Sequence, residues 1–253
     1  MTTNQPLNHC VQMYLPDDQV IEATRLAIQE NPDNAPDTDE LSADSIDSFE
    51  MALVIGKKWR NGRTLRVRFL DGEPAVHEKI KRYANEWSRY ANLKFTFGND
   101  PDAEIRISLQ AGGGFWSYIG TDNLSVPKSE TTMCLEGFNS NTTETEISPV
   151  VLHQFGHVLG LGEEHHNPEN TIPWDKEAVY RYYRERLGWS PEMVDLQVLA
   201  KLDPRGTAHT PHDPKSIMQF PVPNELTIGD YEIGWNTTLS EVDKRFIGQM
   251  YPF

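Results

Sequence analysis

Apolar residues recur every three to four positions across residues 74–91, and that spacing predicts a long amphipathic helix. Just before it, residues 64–70 (Thr-Leu-Arg-Val-Arg-Phe-Leu) alternate strictly, as a strand with one buried face does. Further strands are expected at residues 93–97 and 103–109. The run Gly112-Gly113-Gly114 leads into an edge strand over residues 115–120. Near the start, residues 16–30 repeat apolar side chains at helical spacing behind Pro16 and two acids. Residues 174–187 and 240–251 predict closing helices. Strand, helix, strands, a histidine-bearing helix and then more helices make an α+β, or mixed α/β, layout.

The chain divides into two parts. Residues 31–50 are acidic and contain proline, and no lysine or arginine lies between Arg25 and Lys57. This predicts an N-terminal helix and loosely packed acidic arm over 1–56, ahead of a folded domain over 57–253. The formal net charge of −15 excludes a nucleic-acid binder, which needs a basic face, and argues against an anionic membrane surface. No apolar run is long enough for a membrane span, and the start has no signal-like core. The expectation is a monomer, either cytoplasmic or secreted without a recognisable signal. Two cysteines, Cys10 and Cys134, are too few for a disulfide framework.

The chemistry concentrates between residues 148 and 166. His153 and His157 are four apart, so a helix projects both from one face, close enough to clamp one metal ion. Ser148 and Pro149 are expected as N-cap and first residue of that helix, and Gly160 as its end. A sharp exit at Gly160 lets a third ligand swing back from the cluster Glu163-Glu164-His165-His166. Far downstream lies Ser216-Ile217-Met218-Gln219-Phe220-Pro221.

Together, H-x-x-x-H-x-x-G-x-x-ligand followed by S-x-M-x-F resembles the metzincins, in particular the astacin-like and related bacterial and fungal zinc endopeptidases. The likeness extends from about Lys57 to Phe253 and takes in Asp71-Gly72, the segment 114–120, Ile172-Pro173-Trp174 and Gly234-Trp235-Asn236. It implies a two-lobed catalytic domain with a twisted sheet and an active-site helix, a zinc ion, and a peptide or protein substrate. It also implies that His153, His157 and Glu163 hold the zinc, with His165 the alternative third ligand, and that Met218 packs beneath the metal. The residues Gly113, Gly114, Phe115 and Trp116 would pair with an extended peptide; an ordinary glycine turn is the competing reading.

Three positions depart from the family pattern. Gln154 stands where a glutamate serves as general base, and an amide cannot take up the proton. A natural pseudoenzyme and an introduced inactivating change account for Gln154 equally well, and the maintained architecture favours the second. Glu163 stands where a third histidine is usual, and Phe220 where a tyrosine is usual; Phe220 keeps the ring and loses the hydroxyl. Cys10 could hold zinc in a latent state as a thiolate, although an unengaged thiol is the simpler reading. The expected function is a zinc metalloendopeptidase lacking its general base. The alternative is an inactive pseudopeptidase that binds peptides in the retained cleft.

Overall fold

The alternation at residues 64–70 becomes strand β2 (Thr64–Phe69), with Leu65 and Val67 fully buried. A computed structural model describes residues 10–35, 56–110, 112–202 and 209–253. After β2 the chain crosses through helix α2 (Pro74–Trp87) to β3 (Lys94–Phe97), which lies parallel to β2. Val76, Ile80, Ala84 and Trp87 form the buried stripe of α2. Strand β4 (Ile105–Ser108) pairs with the other side of β2; β5 (Phe115–Tyr118) and β6 (Met133–Leu135) follow. Together with β1 (Cys10–Met13) they form a six-stranded sheet in the order β1-β5-β6-β4-β2-β3. Only the β5–β6 pairing is antiparallel.

Strand β5 is therefore not a sheet edge, contrary to the sequence expectation. Its outer side is covered by β1 in parallel register, from Cys10 opposite Phe115 to Met13 opposite Tyr118. This pairing joins positions about a hundred residues apart, which local periodicity does not encode. Helix α1 (Asp17–Glu30) follows β1 as expected. Residues 31–35 are pinned rather than loose: Asn34 Nδ2 donates to Lys58 O at 2.8 Å, and Lys58 N returns a bond to Asn34 Oδ1 at 2.9 Å. The rest of the acidic arm, residues 36–55, lies outside the described residues, as does the Cys10 side chain.

The histidine helix α3 runs over Glu144–Val158, five residues earlier than Pro149 suggested. Its start is set by Glu146, whose carboxylate accepts from Thr143 N at 2.8 Å and from Thr143 Oγ1 at 2.7 Å. Pro149 lies inside the helix. The other end matches expectation: Gly160 has φ 96°, a left-handed turn that stops the helix. Carbonyls that a helix end would leave unpaired find side-chain donors. Trp59 Nε1 donates to Val158 O at 2.7 Å, and the Tyr251 hydroxyl donates to Leu159 O at 2.7 Å.

Two buried clusters define two lobes. The larger joins the sheet, α2 and α3, and includes Ile217 and Met218. The smaller gathers Val179 and Tyr183 of helix α4 (Lys176–Leu187), Val194 of the short helix α5 (Pro191–Val194), and Phe220, Val222 and Leu226. Helix α6 (Glu241–Met250), capped by Ser240, closes the chain on the larger cluster through Ile247. No helix among the described residues is long and apolar enough to cross a membrane.

Gly156 sits between the two histidines of α3. A Cβ there would stand 2.3 Å from Met218 Sδ and 3.2 Å from Trp87 Cζ2, so the missing side chain is what lets Met218 pack against the helix. Gly156→Ala is expected to lower stability by about 1–3 kcal/mol through overpacking, despite the better helix propensity of alanine. Denaturant unfolding checks this; an unchanged midpoint would mean that Met218 moves aside freely.

Candidate metal centre

One turn of α3 carries His153 and His157 into the space between the two clusters, both fully buried. The exit at Gly160 then returns Glu163 to them. His153 Nε2 and His157 Nε2 stand 3.1 Å apart, and Glu163 Oε1 is 3.3 Å from the first and 3.2 Å from the second. These three are a group in the described structure whose donor atoms converge as metal ligands do.

The tautomers follow from the other ring nitrogens. His153 Nδ1 lies 2.8 Å from Ile217 O, and His157 Nδ1 lies 2.9 Å from Leu161 O. A carbonyl only accepts, so each Nδ1 carries the proton, and in the neutral rings each Nε2 presents a lone pair. Two lone pairs and a carboxylate oxygen thus converge with no donor between them. A cation resolves that arrangement. Donors held about 2.0–2.2 Å from a tetrahedral ion stand roughly 3.4 Å apart, so this triangle fits zinc with a small expansion.

The triangle is held from behind. Ile217 belongs to the turn that carries Met218, and Asp243 of α6 fixes that turn. Asp243 accepts from Ser216 Oγ at 2.6 Å and from Ile217 N at 2.8 Å. Burial pushes the Asp243 carboxyl upward, and these hydrogen bonds oppose the shift. Asp243 orients a histidine through a backbone carbonyl, a role that sequence reasoning missed. The only local signal was an acid three residues after the helix-capping Ser240.

Glu163 is buried, and its ion pairs among the described residues are all with histidine. His165 stands apart from the triangle. Its Nε2 lies 2.9 Å from Gln197 O, its ring packs at 4.1 Å against Phe220, and its Nδ1 is 3.7 Å from the far oxygen of Glu163. Phe220 thus joins the metal region to the smaller core. Met218 is buried beneath the helix, where it makes packing contact.

Gln154, next to His153, is fully buried, and neither amide atom has a hydrogen-bond partner in the described structure. The glycine run leads directly into β5. Glu136 accepts from Gly112 N at 2.6 Å and from Gly114 N at 2.7 Å, so Gly113 and Gly114 form a tight turn that delivers Phe115 and Trp116 into β5. Beyond β5, the chain's own N-terminal segment occupies the position expected for an extended peptide. Gln197 Nε2 donates to Gln12 O at 3.2 Å, and burial followed by the Glu163 charge raises the Tyr14 phenol above its ordinary range.

Comparison with known proteins places this fold. No family model matches the sequence, and no curated protein does. Among solved structures, a structure of myroilysin is 40% identical, with a TM-score of 0.76, over 78% of this chain and 96% of that one. A second myroilysin structure is 39% identical, with a TM-score of 0.62, over 78% and 86%. The hatching-enzyme zinc protease HCE-1 of Oryzias latipes (Medaka fish) shares the fold at 16% identity, with a TM-score of 0.51, over 78% and 93%. The fold and the convergent His–His–Glu group define a zinc metalloprotease scaffold. The chain belongs to the astacin family of zinc metalloproteases, and myroilysin is a close structural relative.

Two outcomes are expected. His153→Ala or His157→Ala should abolish binding of the roughly one zinc per chain that a single ligand cluster holds. Glu163→Ala should weaken zinc far more than His165→Ala, measured by chelator competition; the reverse order would move the third ligand to His165. Separately, Gln12→Pro, which puts a ring without an N–H into β1, should loosen that strand and raise the affinity of a labelled extended peptide. Unchanged fluorescence anisotropy would show that β1 does not compete for β5.

Proposed function

We propose that this chain is a zinc metalloendopeptidase scaffold whose zinc is held by His153, His157 and Glu163 and whose proton-transfer residue is missing. The convergence of three acceptor atoms within 3.1–3.3 Å of one another carries the metal assignment. Two histidines and a glutamate are an established catalytic set that leaves a position for water or substrate. Zinc supplies Lewis acidity toward a peptide carbonyl and toward bound water.

The protein's own contribution is positional. The carbonyls of Ile217 and Leu161 fix both imidazole rings, and Asp243 holds the Ile217 turn in place. Gln154 matches glutamate in shape and can donate or accept hydrogen bonds, but it cannot receive a proton from attacking water or pass one to a leaving amine. A positioned general base is worth roughly 10²–10⁴-fold, so the chain as it stands hydrolyses peptide bonds barely at all. The alternative reading is an inactive pseudopeptidase that holds peptides in the retained cleft.

Gln154→Glu is expected to raise turnover on an unfolded protein substrate by roughly two to four orders of magnitude. The gain should fall toward the low end, because an anionic third ligand makes zinc a weaker Lewis acid than a histidine does. It should vanish with a chelator. A zinc-loaded Gln154→Glu protein that cleaves nothing across a broad peptide library would establish the peptide binder and refute the latent enzyme.

A further inference from the structure

Both histidines of the metal group are held from behind, but by different parts of the chain. His153 is oriented by the Ile217 carbonyl, which Asp243 keeps in place. His157 is oriented by Leu161 O, which lies beyond the reversal at Gly160 and is only as fixed as that reversal. Within the turn, Gly160 N donates to His157 O at 2.8 Å and Leu161 N to Gly156 O at 3.0 Å. From outside, two fully buried aromatic side chains close on it. The Tyr251 hydroxyl donates to Leu159 O at 2.7 Å and accepts from Trp59 N at 3.1 Å, while Trp59 Nε1 donates to Val158 O at 2.7 Å. Burial raises the Tyr251 phenol above its ordinary range, so the proton it donates is in place. The segment that carries Trp59 is anchored in turn. Lys57 Nζ pairs with the buried Asp122 carboxylate at 2.5 Å, and Thr121 N donates to Lys57 O at 3.1 Å. Lys57 O lies 3.2 Å from where a Cβ on Gly160 would stand, so this segment runs directly against the turn.

We propose that Tyr251 and Trp59 are positioning residues for His157, acting through the reversal at residues 158–161. The inference rests on the metal reading above and adds how its second histidine is held. The last carbonyls of a helix have no partner within it. Val158 and Leu159 are fully buried, so water is not at hand to replace a lost donor. Removing the Tyr251 hydroxyl or the Trp59 indole N–H leaves a buried carbonyl unpaired, and the turn must relax to repair it. Leu161 O then moves relative to His157 Nδ1, and the ring loses the bond that fixes its tautomer and direction. His153, held through Ile217 and Asp243, keeps its own.

The test loads the full-length protein with cobalt(II) in place of zinc and records its proton magnetic resonance spectrum. Each metal-bound imidazole then gives a paramagnetically shifted, solvent-exchangeable signal from its Nδ1–H. Tyr251→Phe, which removes only the hydroxyl, should move one of these signals and speed its exchange with solvent. Asp243→Asn should move the other. Groups bonded directly to a metal-ligating histidine are worth roughly 10- to 100-fold in metal affinity, so Tyr251, one step further back, should lie at the low end. Zinc release from Tyr251→Phe to a chelator should accordingly be roughly 10-fold faster. Ile247→Val, a buried change in the preceding turn of α6 that touches none of these hydrogen bonds, controls for loss of stability alone. Should Tyr251→Phe not fold, Trp59→Phe carries the same comparison by removing the donor to Val158 O. Unchanged signals and zinc release, movement of the same signal that Asp243→Asn moves, or an equal effect from Ile247→Val overturns the positioning role and leaves the metal assignment standing. A chain that takes up neither cobalt nor zinc overturns the metal assignment and the positioning role with it.

Discussion

A buried carboxylate with no lysine or arginine paired to it among the described residues is what the rest of this structure has to accommodate. Glu163 lies between the two lobes and meets only imidazole rings as ion-pair partners among the described residues. Burying an uncompensated carboxylate costs several kcal/mol or more, so such a group is retained only where a cation or strong donors meet it. The surroundings are built to bring that cation. A helical turn spaces the histidines, Gly160 reverses the chain, and the Leu161 and Ile217 carbonyls strip both Nε2 atoms of protons. Asp243 then ties the last helix to the turn that orients His153. Fold and metal chemistry are coupled through a hydrogen-bonded path from α6 to α3.

The carboxylate inventory gives the site its character. The family pattern has one acid at the position of Gln154 and a histidine at the position of Glu163. This chain has one acid too, but as a prospective ligand rather than as a base. Under the proposed reading, the exchange keeps one negative charge at the His–His–Glu group and removes the group that would move protons. The cleft around it is otherwise maintained: the Met218 turn and the strand β5 are both in place.

Much of this was legible in the sequence because it is local. The histidine spacing, the Gly160 exit and the closing helix near residues 240–251 depend on residues within one or two helical turns, and they lie where periodicity and capping chemistry placed them. The convergence of Glu163 rather than His165 followed from motif spacing, and the geometry brings Glu163 to the triangle. The start of α3 was misjudged because Pro149 is tolerated within the helix while Glu146 holds the true beginning. Strands β1 and β6 escaped notice for a different reason. Each is three or four residues long, and each is stabilised by partners remote in sequence. Asp243 was missed likewise: its hydrogen bonds reach back about 26 residues to Ser216 and Ile217, and no spacing rule predicts them.

X-ray absorption spectroscopy at the zinc edge of the loaded full-length protein tests the central claim most directly. The account predicts two imidazole nitrogens and one carboxylate oxygen as the protein ligands, with a further position filled from outside the triangle. A shell containing three imidazoles would contradict it, because Glu163 would then be a buried acid with another purpose and the exchange of Gln154 for the base would stand alone.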